Sequence, residues 1–324
     1  MTTTEPAAGQ VPSLEATPGD PDGTTQSEDS GKKSRKRPRG GVIAIVVLSI
    51  ALASALAALA LYLIKLDDAD SRIGEQQRQL EEQRVLIEKK ATFGAAMEDL
   101  MDAATEFDGV LLSSLVPLER YQAVASQAWS HRWNSKGLDR DLSAVRNEMK
   151  DLEVLLTAAT AEGATNSTGT TYEAVIDQLG SGFVTSAIDD ADALCDADVL
   201  ACVSSASPRT VHFDIAGSAE PYMTDWLRTG VAYHEFAHVL QLMNPAPTET
   251  ALAAFGGDDE TMADCFALSY LDGWTLDHRI WMNRYDYWDV DIGYGHVCDD
   301  AQKQSVRDWY GQLGFRSGPI TQQG

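Results

Sequence analysis

Two histidines and a glutamate stand in the order His234-Glu235-x-x-His238, inside Val231-Ala232-Tyr233-His234-Glu235-Phe236-Ala237-His238-Val239-Leu240-Gln241, an apolar and helix-compatible run. Residues at i and i+4 share one face of a helix. Two imidazoles at that spacing can hold one zinc ion, and the Glu beside the first His can lie over an open coordination position and take a proton from a water there. Such a site needs a third protein ligand. The sequence offers Glu260, in Glu260-Thr261-Met262-Ala263-Asp264-Cys265, which follows a helix start at Gly256-Gly257-Asp258. Asp264, one turn further on, can accept the outer N–H of a ligating His and so fix its ring. The expected set is therefore His234, His238 and Glu260 as zinc ligands, Glu235 as general base and Asp264 behind the metal. The plainer readings are a metal-free pair of helix histidines or a structural zinc. Structural zinc is usually closed by four protein ligands, commonly including Cys, and keeps no spare Glu beside an open position.

The pattern H-E-x-x-H followed by E-x-x-x-D resembles the gluzincin metallopeptidases, and the string from Glu260 to Cys265, with Gly295-His296, Gln304 to Tyr310 and Gly318, is similar to a family of bacterial neutral zinc metallopeptidases. The resemblance covers about residues 210–318, and Val239 stands where relatives often carry a second His. It implies an α+β, mostly helical zincin-like domain with a small sheet, hydrolysing a peptide or protein substrate. It also implies a role for His296 in steadying the oxyanion. Thr210-Val211-His212-Phe213-Asp214-Ile215 alternates and is β-prone, matching the edge strand that in zincins holds the substrate backbone; His212 itself reads as structural. The aromatic stretch Trp281 to Tyr294 reads as packing more readily than as a cleft wall.

Other elements must carry this site. Residues 42–64 contain no charged side chain, and a helix of that length spans a hydrocarbon core of roughly 30 Å. The run Lys32-Lys33-Ser34-Arg35-Lys36-Arg37-Pro38-Arg39 precedes it and predicts a cytoplasmic N-terminus, with the remainder outside at the cell membrane. A cleaved signal peptide, whose apolar region is usually shorter, and a buried core helix are the alternatives. The organisation expected is a disordered tail with a basic cluster (1–41), a transmembrane helix (42–64), a helical stalk (65–92), a helical subdomain (93–165) and the metallopeptidase domain (166–324). On the stalk, Leu66, Ile73, Leu80 and Ile87 form a narrow heptad seam without its companion row, which suits a solvated spacer or a weak homodimer. In the subdomain, Trp129, His131 and Trp133 read as packing rather than a ligand cage.

The tail holds as many basic as acidic residues, so the net charge of -24 belongs to the part after the apolar run. That surface repels phosphate backbones and excludes nucleic acid as a partner. Four cysteines suit an exported domain. Spacing suggests Cys195 with Cys202 and Cys265 with Cys298, although sequence alone leaves the pairing open; no C-x2-C pair favours a four-cysteine zinc site.

Overall fold

The computed structural model describes residues 40–195, 199–294 and 298–317. The tail and its basic cluster, residues 1–39, and His296 lie outside the described residues. The protein is a mostly helical α+β chain that divides into two compact units, 1–74 and 75–324.

Helix α1 (Gly40–Thr105) is long and apolar enough to cross a membrane. Its side chains from Leu48 to Ile64 are all exposed. A stretch whose apolar side chains are all exposed is not packed as the core of a soluble domain would be. Leu66, Ile73, Leu80 and Ile87 are exposed as well.

In the second unit, α2 (Leu118–Ser130), α3 (Ser135–Gly163) and α4 (Thr171–Gly180) precede the strand β1 (Thr185–Asp189). Short side chains start these helices: Asn134 accepts from the Gly137 N–H, and Thr170 accepts from the Glu173 N–H. Then come α5 (Ala191–Leu194), β2 (Ala201–Val203), β3 (Thr210–Asp214), α6 (Ile215–Ser218), α7 (Asp225–Met243), α8 (Pro245–Leu252) and α9 (Asp259–Tyr270). A hairpin of β4 (Asp277–Trp281) and β5 (Tyr287–Asp291) and the helix α10 (Asp300–Tyr310) complete the order.

The first sheet has the order β1-β3-β2, with β1 parallel and β2 antiparallel to β3. The strand expected at the edge, Thr210 to Asp214, is thus the central one, and the edge role falls to β2. β3 pairs along both of its sides, with β1 and with β2, where Cys202, bonded to Cys195, lies opposite His212. His212 is held structurally, its Nδ1 lying 2.9 Å from Asp189 Oδ2.

One core joins residues on both sides of position 165: Leu100, Phe107, Tyr121 and Leu152 belong to the same buried cluster as Phe213, Phe236 and Trp309. Tyr172 on α4 stacks on Phe213 with ring centroids 3.9 Å apart, which brings α4 against the sheet. Trp129 and Trp133 depart from the packing expected of them. They are 63% and 72% exposed, with Arg132 over the first ring and Lys90 over the second. These cations cover ring faces that a core would otherwise bury.

Asp177 on α4 is half-buried, and its Oδ1 has no hydrogen-bond partner among the described residues. Burial, reinforced by the charges of Glu173 and Glu162, pushes its carboxyl from 3.8 up to about 6. A raised carboxyl favours the folded state fully only below the unfolded value, and that contribution is lost as pH rises through about 6. Asp177→Asn should therefore raise the melting temperature by roughly 2–4 °C at pH 8, the shift of about 1 kcal/mol in a domain of this size, and the gain should vanish below about pH 4. Thermal melts at the two pH values check this; a gain that does not depend on pH would contradict it.

Candidate metal centre

Two helices build the site. Thr224 accepts from the Leu227 N–H and starts α7; Asp258 accepts from the N–H groups of Glu260 and Thr261 and starts α9. α7 enters the core through Leu227, Phe236, Val239 and Leu240, and on it His234 and His238 point at Glu260 on α9. His234 Nε2 lies 3.1 Å from Glu260 Oε2, His238 Nε2 lies 3.0 Å from the same oxygen, and the two Nε2 atoms are 3.1 Å apart.

Hydrogen bonds behind the rings fix their tautomers. His234 Nδ1 is 2.9 Å from Asp264 Oδ1 and must donate to it. His238 Nδ1 is 2.8 Å from Gln241 Oε1, and that amide is oriented by its own Nε2–H, which donates to the Asp259 carbonyl at 2.9 Å. Both Nδ1–H groups are thus engaged behind the rings, which leaves each Nε2 as the ring atom that faces the Glu260 carboxylate. Ligands about 2.0–2.1 Å from a tetrahedral zinc ion stand roughly 3.3 Å from one another, close to the spacing found here, so the donor set fits the metal.

The electrostatics agree on a demand for positive charge. Burial opposes charging His234, but hydrogen bonds to Asp264 and Glu260 outweigh it and push its pKa up to about 10. His238 moves in the same direction, burial again being outweighed, here by its bond to Glu260. Burial alone would raise Glu260, but the hydrogen bonds from both imidazoles hold it well below the carboxylate range.

Glu235 is 5% exposed, and its Oε2 has no hydrogen-bond partner among the described residues. Burial pushes its carboxyl up. A carboxylate so placed has an unused oxygen beside His234, His238 and Glu260, as a proton acceptor requires.

Two participants were not assigned from sequence. Gln241 needs the tertiary fold to reveal it, although its place one turn past His238 was a usable signal. Tyr294, the last residue of the aromatic stretch, donates its backbone N–H to Asp264 Oδ2 at 2.9 Å and lies with its ring along that of His234. Burial, together with the charges of Glu260 and Glu235, pushes its phenol up to about 12, so it remains a donor at neutral pH. The rest of the stretch does not pack as expected: Tyr285 is 80% exposed, and Trp281, Tyr287 and Trp288 are also exposed on the hairpin. The Cys265–Cys298 disulfide joins the residue after Asp264 to the segment following Tyr294. His296 cannot be placed in this geometry, because it lies outside the described residues.

Two cavities meet at His234, Glu235 and Tyr294. One, about 770 Å³, extends over α8 and the start of α9; the other, about 300 Å³, extends toward Trp274, Leu276 and Ile292. Val199 and Ala201, at the edge strand β2, line both. No family model, no curated protein and no solved structure matches this chain.

Asp264→Asn preserves the side-chain shape but offers an NH2 group where two N–H donors now converge. Zinc affinity, measured by competition with a chromophoric chelator, should fall about 10- to 100-fold. Affinity equal to the parent would show that Asp264 does not support His234 as a ligand.

Proposed function

We propose that this chain is a membrane-anchored zinc metallopeptidase of the gluzincin type, with a zincin-like domain placed outside the cytoplasm. The observation that carries the reading is the convergence of His234 Nε2, His238 Nε2 and Glu260 Oε2 beside the unpartnered carboxylate oxygen of Glu235. The exposed apolar helix and the two disulfides support an anchored domain in an oxidising compartment. The basic cluster before the helix supports an N-terminus inside the cell. The exposed seam of Leu66, Ile73, Leu80 and Ile87 suits weak pairing of two copies.

A zinc ion held by His234, His238 and Glu260 would supply Lewis-acid polarisation of the scissile carbonyl and an acidified water. The remaining work falls to the chain. Glu235 Oε2 accepts the proton of the attacking water and later delivers it to the leaving amine; its buried position keeps competing water away. Asp264 and Gln241 hold the two imidazoles in their tautomers. The Tyr294 phenol, kept protonated, donates to the oxygen on which charge develops. The free edge of β2 offers backbone groups to an extended substrate strand.

Glu235→Gln should retain zinc and lower kcat for peptide hydrolysis by about 10²- to 10⁴-fold, the usual worth of a general base. Metal analysis and digestion of a mixed peptide library by the full chain in detergent measure both. A mutant that cleaves like the parent would remove Glu235 from the reaction. A zinc-loaded parent that cleaves no peptide would point instead to a non-peptide amide of the cell envelope or to a binding role.

A further inference from the structure

The two disulfides differ in where they lie. Cys265 is fully buried and Cys298 is 7% exposed, and both belong to the core. Cys195 and Cys202 are half-buried, and both line the larger cavity, which His234, Glu235, His238 and Glu260 also line. A reagent that enters this cavity meets one disulfide and not the other. Exposure of this kind separates exchangeable disulfides from structural ones, because exchange needs an attacking thiolate to reach a sulfur. The accessible bond also holds part of the site. Cys202 is the middle residue of β2, which has three residues and, at the edge of its sheet, is paired to β3. Through Cys195 the bond ties β2 to the end of α5, a helix of four residues. Ala201, beside Cys202, lines both cavities. An edge held by so short a ladder opens locally at small cost unless a cross-link restrains it.

We propose that Cys195–Cys202 is a thiol–disulfide exchange site that controls the β2 edge of the metal centre, its co-reactant being a dithiol. A thiolate of the dithiol attacks one sulfur of the bond, and the other sulfur leaves and takes a proton. The second thiol of the reductant then resolves the mixed disulfide. Two electrons and two protons pass to the protein, which gains two thiols, and the dithiol departs as a disulfide. With the cross-link open, β2 loosens, and the backbone groups that it offers to a substrate strand lose their fixed position. The effect on substrate rests on the peptidase reading; the exchange and the loosening do not.

The first arm of the test titrates the full chain in detergent with dithiothreitol, alkylates it with iodoacetamide and maps the labelled cysteines by mass spectrometry. Cys195 and Cys202 should be labelled at about tenfold less dithiothreitol than Cys265 and Cys298. Labelling of all four together, or of Cys265 and Cys298 first, overturns the exchange site. The second arm compares the parent with the double variant Cys195→Ser, Cys202→Ser, without reductant, so that no added thiol competes for the metal. Zinc content equal to the parent's reports that the variant has folded, and the parent reduced and alkylated in the first arm gives the same measurement without a substitution. Hydrogen exchange in the peptide spanning β2 and β3 should quicken by about tenfold or more while that of α7 is unchanged. KM for a cleaved peptide should rise about threefold or more at nearly constant kcat, the mark of lost ground-state binding. Exchange across β2 as slow as in the parent, or an unchanged KM in a variant that cleaves, overturns the control of the edge. A zinc-loaded parent that cleaves no peptide overturns the peptidase reading instead, and the labelling order and the β2 exchange still decide the proposal.

Discussion

Placing two imidazole nitrogens and a carboxylate oxygen within 3.1 Å of one another, all directed inward, costs free energy that only positive charge among them can offset. A proton satisfies one pair of these atoms, whereas a divalent cation satisfies all three. The rings cannot escape by rotating or changing tautomer, because Asp264 and Gln241 each claim an Nδ1–H. Gln241 is itself fixed by the backbone of α9. The arrangement is thus determined from behind as well as from the front, and the energy to hold it comes from the packing of α7 between α4, α9 and the sheet.

That packing explains why the rest of the second unit exists in the form it does. Phe236, Ala237 and Leu240 leave α7 fully enclosed on the side away from the histidines, and Gly230 lets Trp274 approach the helix so closely that an added Cβ would meet its ring at 1.9 Å. Trp309 on α10 donates its indole N–H to Thr248 on α8, tying the wall of the larger cavity to the core. The helices before residue 165 contribute Leu100, Tyr121 and Leu152 to the same core and so stiffen the platform under the site.

Much of this was legible in the sequence because it depends on local periodicity. Histidines at i and i+4, and Glu260 and Asp264 at the same spacing after a helix start, could be placed on two helix faces without knowing how the helices meet. Spacing suggested the two disulfide pairs that form, although sequence alone left the pairing open. Tertiary arrangement was not legible in the same way. β2 has only three residues, too few for an alternating pattern to register, so from sequence the longer β3 reads as the edge although it lies at the centre. The partnership of Gln241 with His238 depends on the backbone of a different helix, and Tyr294 reaches Asp264 only through the path of the chain after the hairpin. Trp129 and Trp133 fit a packed pattern by residue type, yet Lys90 and Arg132 cover them at the surface.

The central claim, one zinc ion held by two imidazoles and a carboxylate, is tested most directly by metal analysis and zinc K-edge absorption on the purified full chain. The account predicts about one zinc per chain, with nitrogen and oxygen ligands at about 2.0–2.1 Å and an open position filled by water. No bound zinc, or a shell containing sulfur at about 2.3 Å, would contradict it.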